Sequence, residues 1–91
     1  MINIEYKTEF FEEDDQIVAL VPELNVSSFG RTLDEAKRRI QEAVELFLEG
    51  CAALGSLEEV LEESGFALSK EEVWRRRDPF VTEEMRVAVA E

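Results

Sequence analysis

The densest run of side chains that could do chemistry is a block of four carboxylates, Glu12, Glu13, Asp14 and Asp15. Carboxylate oxygens are ligands for hard cations, so the block could in principle bind a metal ion. Consecutive strand side chains point to opposite faces, however, and no glycine-bearing loop of the calcium-binding kind surrounds the block. The pattern therefore favours a solvated hairpin tip that could contact a basic partner, and we expect no metal site.

A basic cluster, Arg75–Arg77, follows Trp74. Such a cluster could grip phosphates while the indole stacks on a base. In a chain with a net charge of -12, three arginines more often pair with carboxylates or with a second subunit. We expect Trp74 to cover the core or an oligomer interface, and we expect the arginines to pair with nearby Glu71, Glu72 and Asp78.

The sequence gives little support for the common catalytic arrangements. The chain has no histidine, which removes the most common general base and zinc ligand. Cys51 is the only cysteine, so no intrachain disulfide can form, and a small buried hydrophobe is its expected role. The turn at Gly30 lacks the glycine-rich pattern of a phosphate-binding loop. We therefore assign no catalytic residue and no cofactor.

The composition fits one small acidic domain, residues 1–91, with 45% hydrophobic residues. A net charge of -12 repels phosphate backbones and anionic lipids, so we expect neither nucleic-acid nor membrane binding. The same charge would steer a basic protein partner towards the chain, although it could equally serve solubility alone. No secretory leader is visible, and the longest apolar run, Ile17–Pro22, is too short to span a bilayer. We expect a soluble cytoplasmic protein.

The elements that must position these residues begin with strands. Apolar residues alternate from Ile2 to Phe10, and a second run covers Ile17–Val21, so a hairpin with a connection of about four residues is predicted. Pro22 cannot donate to a strand ladder and should lie at a strand end or an exposed edge. A short third strand is predicted for Val26–Phe29, with Phe11 and Phe29 on an outward face.

A long helix should follow the third strand. Gly30 is expected to supply a close approach or a special backbone conformation. Thr32 and Glu35 have the spacing of a capping box. The apolar stripe of this helix is predicted to be Leu33, Ala36, Ile40, Ala43, Val44, Phe47 and Leu48.

A short second helix should follow the first one. Ser56 and Glu59 form a second potential capping box that would open it. Gly65 is expected to end this helix in a left-handed conformation.

The C-terminal part is predicted to end in a strand. Residues 67–79 are ambiguous, whereas the alternation of Val81, Met85, Val87 and Val89 favours a final strand. The predicted order is β-β-β-α-α-β, an α+β fold with helices on one face of an antiparallel sheet. Because exposed strand edges invite pairing, we expect a homodimer or higher homo-oligomer through Trp74, Met85, Val87 and Val89.

Part of this pattern resembles the HicB-like antitoxin domain. The similarity covers roughly Ile4 to Phe66, and the matching positions are Pro22, Leu24, Val26, Ser28, Gly30, Thr32, Glu35, Ala36, Glu42, Ala43 and Leu48. The resemblance implies a three-stranded meander, a long helix and a further strand. It also implies direct docking to a small basic messenger-RNA-cleaving toxin of the HicA-like kind. Family members that repress their own operon carry an added DNA-binding segment, and we expect this chain to be a short member without one.

Three functions remain open at this point. The first is an antitoxin-like binding module, with Glu12–Asp15 and Phe29 as partner-binding residues. The second is a toxin-less relative that self-associates and has no enzymatic activity. The third is a metal-dependent nuclease of ribonuclease-H-like descent, which would need carboxylates from several elements to converge.

Overall fold

The computed structural model describes residues 1–91 as two three-stranded sheets and two helices. This confirms the predicted α+β class. No helix has both the length and the apolar character needed to cross a bilayer. In chain order the elements are β1 (Asn3–Ile4), β2 (Glu9–Glu13), β3 (Gln16–Val21), β4 (Val26–Gly30), α1 (Leu33–Ala53), α2 (Leu57–Glu63), β5 (Phe66–Leu68) and β6 (Val73–Arg76).

The first sheet is the predicted antiparallel meander, in the order β2-β3-β4. Glu13 pairs with Gln16, so only Asp14 and Asp15 form the turn, and Glu12 and Glu13 belong to the strand. The connection is thus two residues rather than four. Asp14 adopts a positive φ of 53°, a conformation that aspartate tolerates better than most residues. Pro22 follows the last residue of β3, at the strand end where it was expected.

Helix α1 covers the inner face of this meander. Its buried residues Ala36, Ile40 and Val44 join Ala19 and Val21 of β3 in one core cluster. The amide of Glu35 donates to the Thr32 hydroxyl at 3.1 Å, which confirms one half of the capping box. The Glu35 carboxylate accepts from the Arg31 amide at 3.4 Å, not from the Thr32 amide as predicted. Cys51 is buried in the same core, as expected.

The second cap differs from its prediction, whereas the helix end agrees with it. The Ser56 side chain makes no capping bond and donates instead to the Cys51 carbonyl at 3.3 Å, because the turn places it beside the end of α1. Gly65 has a positive φ of 90°, which fits the predicted left-handed end of α2.

The second sheet, in the order β1-β6-β5, was not foreseen. The single predicted strand Ile2–Phe10 is divided: β1 pairs in parallel with β6, whereas β2 pairs with β3. The alternation did not predict this division, because Ile4 and Phe10 are both half-buried although they belong to different sheets. A period of two identifies a buried face but not the strand that will cover it.

The predicted final strand at Met85–Ala90 is wrong. The last strands of the chain are β5 and β6, formed by the segment that sequence patterns left ambiguous. Residues 77–91, here called the C-terminal arm, belong to no helix or strand, and all of them are exposed. A strand needs a neighbour for its backbone groups, and the only backbone hydrogen bond of this arm is the one that the Arg77 amide donates to the Gly65 carbonyl. The radius of gyration is 15.9 Å, whereas about 12 Å is usual for a compact domain of this length.

Candidate protein-binding surface

The outer face of the meander carries an apolar row whose two aromatic side chains are about half exposed. The strand register places Phe11 opposite Val18, and Val18 opposite Phe29. This outer row lies on the side of the sheet away from α1. Phe11 is 47% exposed and Phe29 is 49% exposed. Exposed aromatic side chains on a rigid sheet are the kind of residue that anchors protein interfaces.

The acidic block lies at one end of the same sheet. Glu12 and Glu13 are on β2 and Asp14 and Asp15 form the turn, and all four are exposed. Glu13 is two residues from Phe11, so both point to the outer side, whereas Glu12 points to the other. No group of three or more acidic or thiol side chains comes close enough to hold a metal ion.

Phe29 has one contact that sequence analysis missed. The guanidinium of Arg39 lies over its ring, 5.6 Å from the centroid, and the same group is 3.4 Å from the Glu35 carboxylate. Arg39 and Glu35 are four residues apart on α1, a spacing that predicts their ion pair. No local spacing predicts the contact with Phe29, because it joins α1 to a neighbouring strand. A cation therefore lies beside the β4 edge of the sheet.

Two of the three arginines in the basic cluster, Arg75 and Arg76, form ion pairs. Arg75 donates to Glu5 at 2.6 Å and is 3.8 Å from Glu71, one of the three predicted partners. Arg76 donates to Glu23 at 2.7 Å. Glu5 and Glu23 were not foreseen, because they lie far from the arginines in sequence. Glu72 and Asp78 form no ion pair with the cluster.

The Arg76–Glu23 pair ties the two sheets together. Arg76 ends β6, whereas Glu23 lies in the turn after β3, and its side chain is only 15% exposed. Burial alone would raise the pKa of Glu23, but the hydrogen bond and charge of Arg76 outweigh it and hold that pKa below its usual range. The ionised pair is thus part of the fold.

Replacing Glu23 by glutamine should show this contribution in the pH dependence of stability. A carboxyl group whose pKa is lower in the folded state than in the unfolded state stabilises the fold at a pH above its unfolded-state pKa. This stabilisation is lost as the pH falls through the folded-state pKa. We expect E23Q to lower the free energy of unfolding by about 1 kcal/mol at pH 7, because glutamine keeps an oxygen acceptor for Arg76 and only the charge assistance of the hydrogen bond is lost. The difference should shrink below about pH 4.

Urea denaturation at pH 7, 5 and 3.5 measures this effect. Glu42→Gln is the control, because Glu42 is exposed on α1 and forms no ion pair. If E23Q lowers the free energy of unfolding equally at all three pH values, the charge of Glu23 is not responsible for the destabilisation.

The residues expected at an oligomer interface fall into two groups. Trp74 is 7% exposed and belongs to the core of a single chain, so it has little surface to offer a second subunit. Burial of the indole follows from its position on β6, the central strand of the second sheet. Met85, Val87 and Val89 are highly exposed on the C-terminal arm.

The concave features of the molecule are polar and shallow. One of them is a cleft of about 260 Å³ whose lining includes Glu5, Lys7 and Arg75. Tyr6 is its one apolar residue. Sites for small organic ligands are mostly apolar with a few polar groups, so this cleft does not resemble one. Burial, and then the nearby charge of Glu45, raise the pKa of Tyr6, so its hydroxyl stays protonated near neutral pH.

Comparison with protein-family models, with curated proteins and with solved structures finds no match for this chain. The outer row and the acidic block are therefore interpreted from their own chemistry.

Proposed function

We propose that the chain is a protein-binding module that docks a small basic protein, in the manner of a HicB-like antitoxin that neutralises a HicA-like messenger-RNA-cleaving toxin in the cytoplasm. The observation that carries the proposal is the outer row of Phe11, Val18 and Phe29 beside the exposed acidic block. The resemblance at Gly30, Thr32 and Glu35 supports the choice of family.

The two parts of this surface have different tasks. Carboxylates at the rim of an interface attract a basic partner over a distance and raise the association rate. Aromatic side chains near the centre lose water on binding and supply most of the affinity. An RNA-cleaving enzyme must present cations to phosphates, so an acidic surface of this kind would compete with its substrate.

Neutralising the acidic block tests the proposal. We expect the quadruple variant E12Q/E13Q/D14N/D15N to slow association with the basic toxin by about tenfold or more at low salt, with a weaker salt dependence. We expect the adjacent reading frame to encode this small basic partner, and surface plasmon resonance from 20 to 300 mM NaCl measures the rates.

The chain offers a matched control for this variant. Glu58, Glu59, Glu62 and Glu63 are exposed on α2, which packs against α1 and β5, so their replacement by glutamine changes the net charge equally at another place. Equal slowing by both variants would show that only total charge matters. In cells whose growth is inhibited by the basic neighbour, co-expression of this chain should restore growth. Absence of this rescue would contradict the antitoxin role.

A toxin-less protein that self-associates is the second candidate, and the C-terminal arm favours it. Its apolar side chains have no partner within the chain, which is costly for a protein that functions alone. The nuclease alternative has no acidic group of three to support it. Calorimetric titration with Mn²⁺ tests that alternative, because a two-metal nuclease must release or absorb heat on binding the ion.

A further inference from the structure

Two unpartnered features of this chain are complementary. One is the C-terminal arm, residues 77–91, and the other is the free edge of β4, which pairs with β3 on one side only. We propose that the arm of one copy adds as a strand to the β4 edge of a second copy, and that the exchange is reciprocal. The proposal rests on the self-association described above and names its contact.

The arm has the composition of a strand without having a strand partner. Odd-numbered positions carry Val81, Met85, Val87 and Val89, each at least 65% exposed. The even positions near its end are Arg86, Ala88 and Ala90. Alternation of this kind gives an odd-numbered face that is apolar from Met85 to Val89, and an even-numbered face on which two small side chains follow Arg86. Backbone groups of the arm also need partners, which an open strand edge supplies.

Four strand edges are open, and β4 suits the arm best. Strands β1 and β5 have only two and three residues, whereas β4 has five. The β2 edge has sufficient length, but it carries Glu9, Glu12 and Glu13. Strand β4 contains no charged residue, so it lacks the charges by which proteins usually block an edge.

The charges near the two edges also favour β4. The arm carries Glu83, Glu84 and Glu91 against Arg86 over its outer half. These carboxylates would meet further carboxylates at the β2 edge. At β4 they would meet cations, because Arg39 lies over the Phe29 ring and Arg31 directly follows the strand.

Side-chain size agrees with the same edge. A strand beside β4 has one side against α1, and α1 lies very close there: a Cβ on Gly30 would be 2.6 Å from the Ala36 backbone nitrogen. Small side chains suit the part of that side next to so close a contact, and Ala88 and Ala90 at the end of the arm are small. The other side then places Val87 and Val89 beside Phe29, which extends the outer row into the second copy.

Salt separates this contact from docking of a basic partner. Two copies with a net charge of -12 repel each other, so screening should strengthen an association that rests on apolar side chains. Screening should weaken the association with a basic protein. We therefore expect the dimer dissociation constant to fall as NaCl rises from 20 to 300 mM.

The test uses the full chain in sedimentation velocity and amide hydrogen exchange. We expect V87D/V89D on the arm, and F29D on the edge, each to raise the dimer dissociation constant by at least about 30-fold, the size of a hot-spot loss. Leu46→Asp, on an exposed position of α1, is the control and should leave it unchanged. S27D is a second edge variant in case F29D does not fold.

Mixing gives the most specific result. An arm variant keeps a normal edge and an edge variant keeps a normal arm, so an equimolar mixture should form a heterodimer although each variant alone is monomeric. Amides of residues 85–90 and of β4 should be protected in the wild-type dimer.

Three results would overturn the arm contact. A wild-type dimer that V87D/V89D does not weaken would show self-association through another surface, so the second candidate would survive without the arm. A monomer with protected arm amides would show that the arm docks on its own chain. A monomer without protection at 300 mM NaCl would remove self-association altogether.

Discussion

Trp74→Ala is expected to lower the free energy of unfolding by about 3–5 kcal/mol, the usual cost of removing a large aromatic side chain from a core. Trp74 lies on the central strand of the second sheet, with Ile4 of β1 opposite it on one side and Leu68 of β5 on the other. Loss of the indole therefore affects all three strands at once. Small domains have only about 5–15 kcal/mol of stability in total.

Urea denaturation followed by far-ultraviolet circular dichroism measures this change. Tryptophan fluorescence cannot be used, because the variant lacks the only tryptophan of the chain. Trp74→Phe is the control, because it keeps an aromatic ring in the core and should cost less. A loss below about 1 kcal/mol accompanied by dissociation of a dimer would instead return Trp74 to the interface role that its sequence context suggested.

Gly30→Ala has the second largest expected effect. A Cβ at Gly30 would be 2.6 Å from the backbone nitrogen of Ala36 and 3.0 Å from the carbonyl carbon of Glu35. Both atoms belong to the first turns of α1, so relief requires the helix to move away from the sheet. We expect the free energy of unfolding to fall by about 1–3 kcal/mol, the usual cost of overpacking.

Gly50→Ala is the matched control for this variant. Gly50 lies in α1 and a Cβ there would meet nothing within 4 Å. Alanine is a better helix former than glycine by up to about 1 kcal/mol, so this change should stabilise the protein. If thermal and urea unfolding show that Gly30→Ala is as stable as the wild type, the close approach of α1 to β4 is wrong.

Local signals predicted the central part of the fold well. The Thr32 cap, the middle of the stripe on α1 and the meander all depend on neighbours within a few residues or on one strand pair. Leu33 and Phe47 of the predicted stripe are exposed. The Gly30 approach was also foreseen, because few other roles require glycine between a strand and a capped helix.

Partners that are distant in sequence were not predictable. Glu23 and Arg76 are 53 residues apart, and no spacing rule connects a turn after β3 with the end of β6. The same reason explains the division of the first predicted strand between two sheets. Alternation in the arm predicted a strand with an apolar face, and no strand forms there. Alternation contains no information on whether a pairing strand lies in the same chain.

The parallel pairing of β1 with β6 also determines the order in which the chain can complete its fold. Asn3 pairs with Val73, so this ladder closes a loop that includes nearly all other elements. The meander and α1 lie between its two strands and depend on much shorter loops, which form faster. During synthesis, β1 must wait until the ribosome has released residue 76 before it can pair. The first strand to be translated is thus among the last to reach its final place.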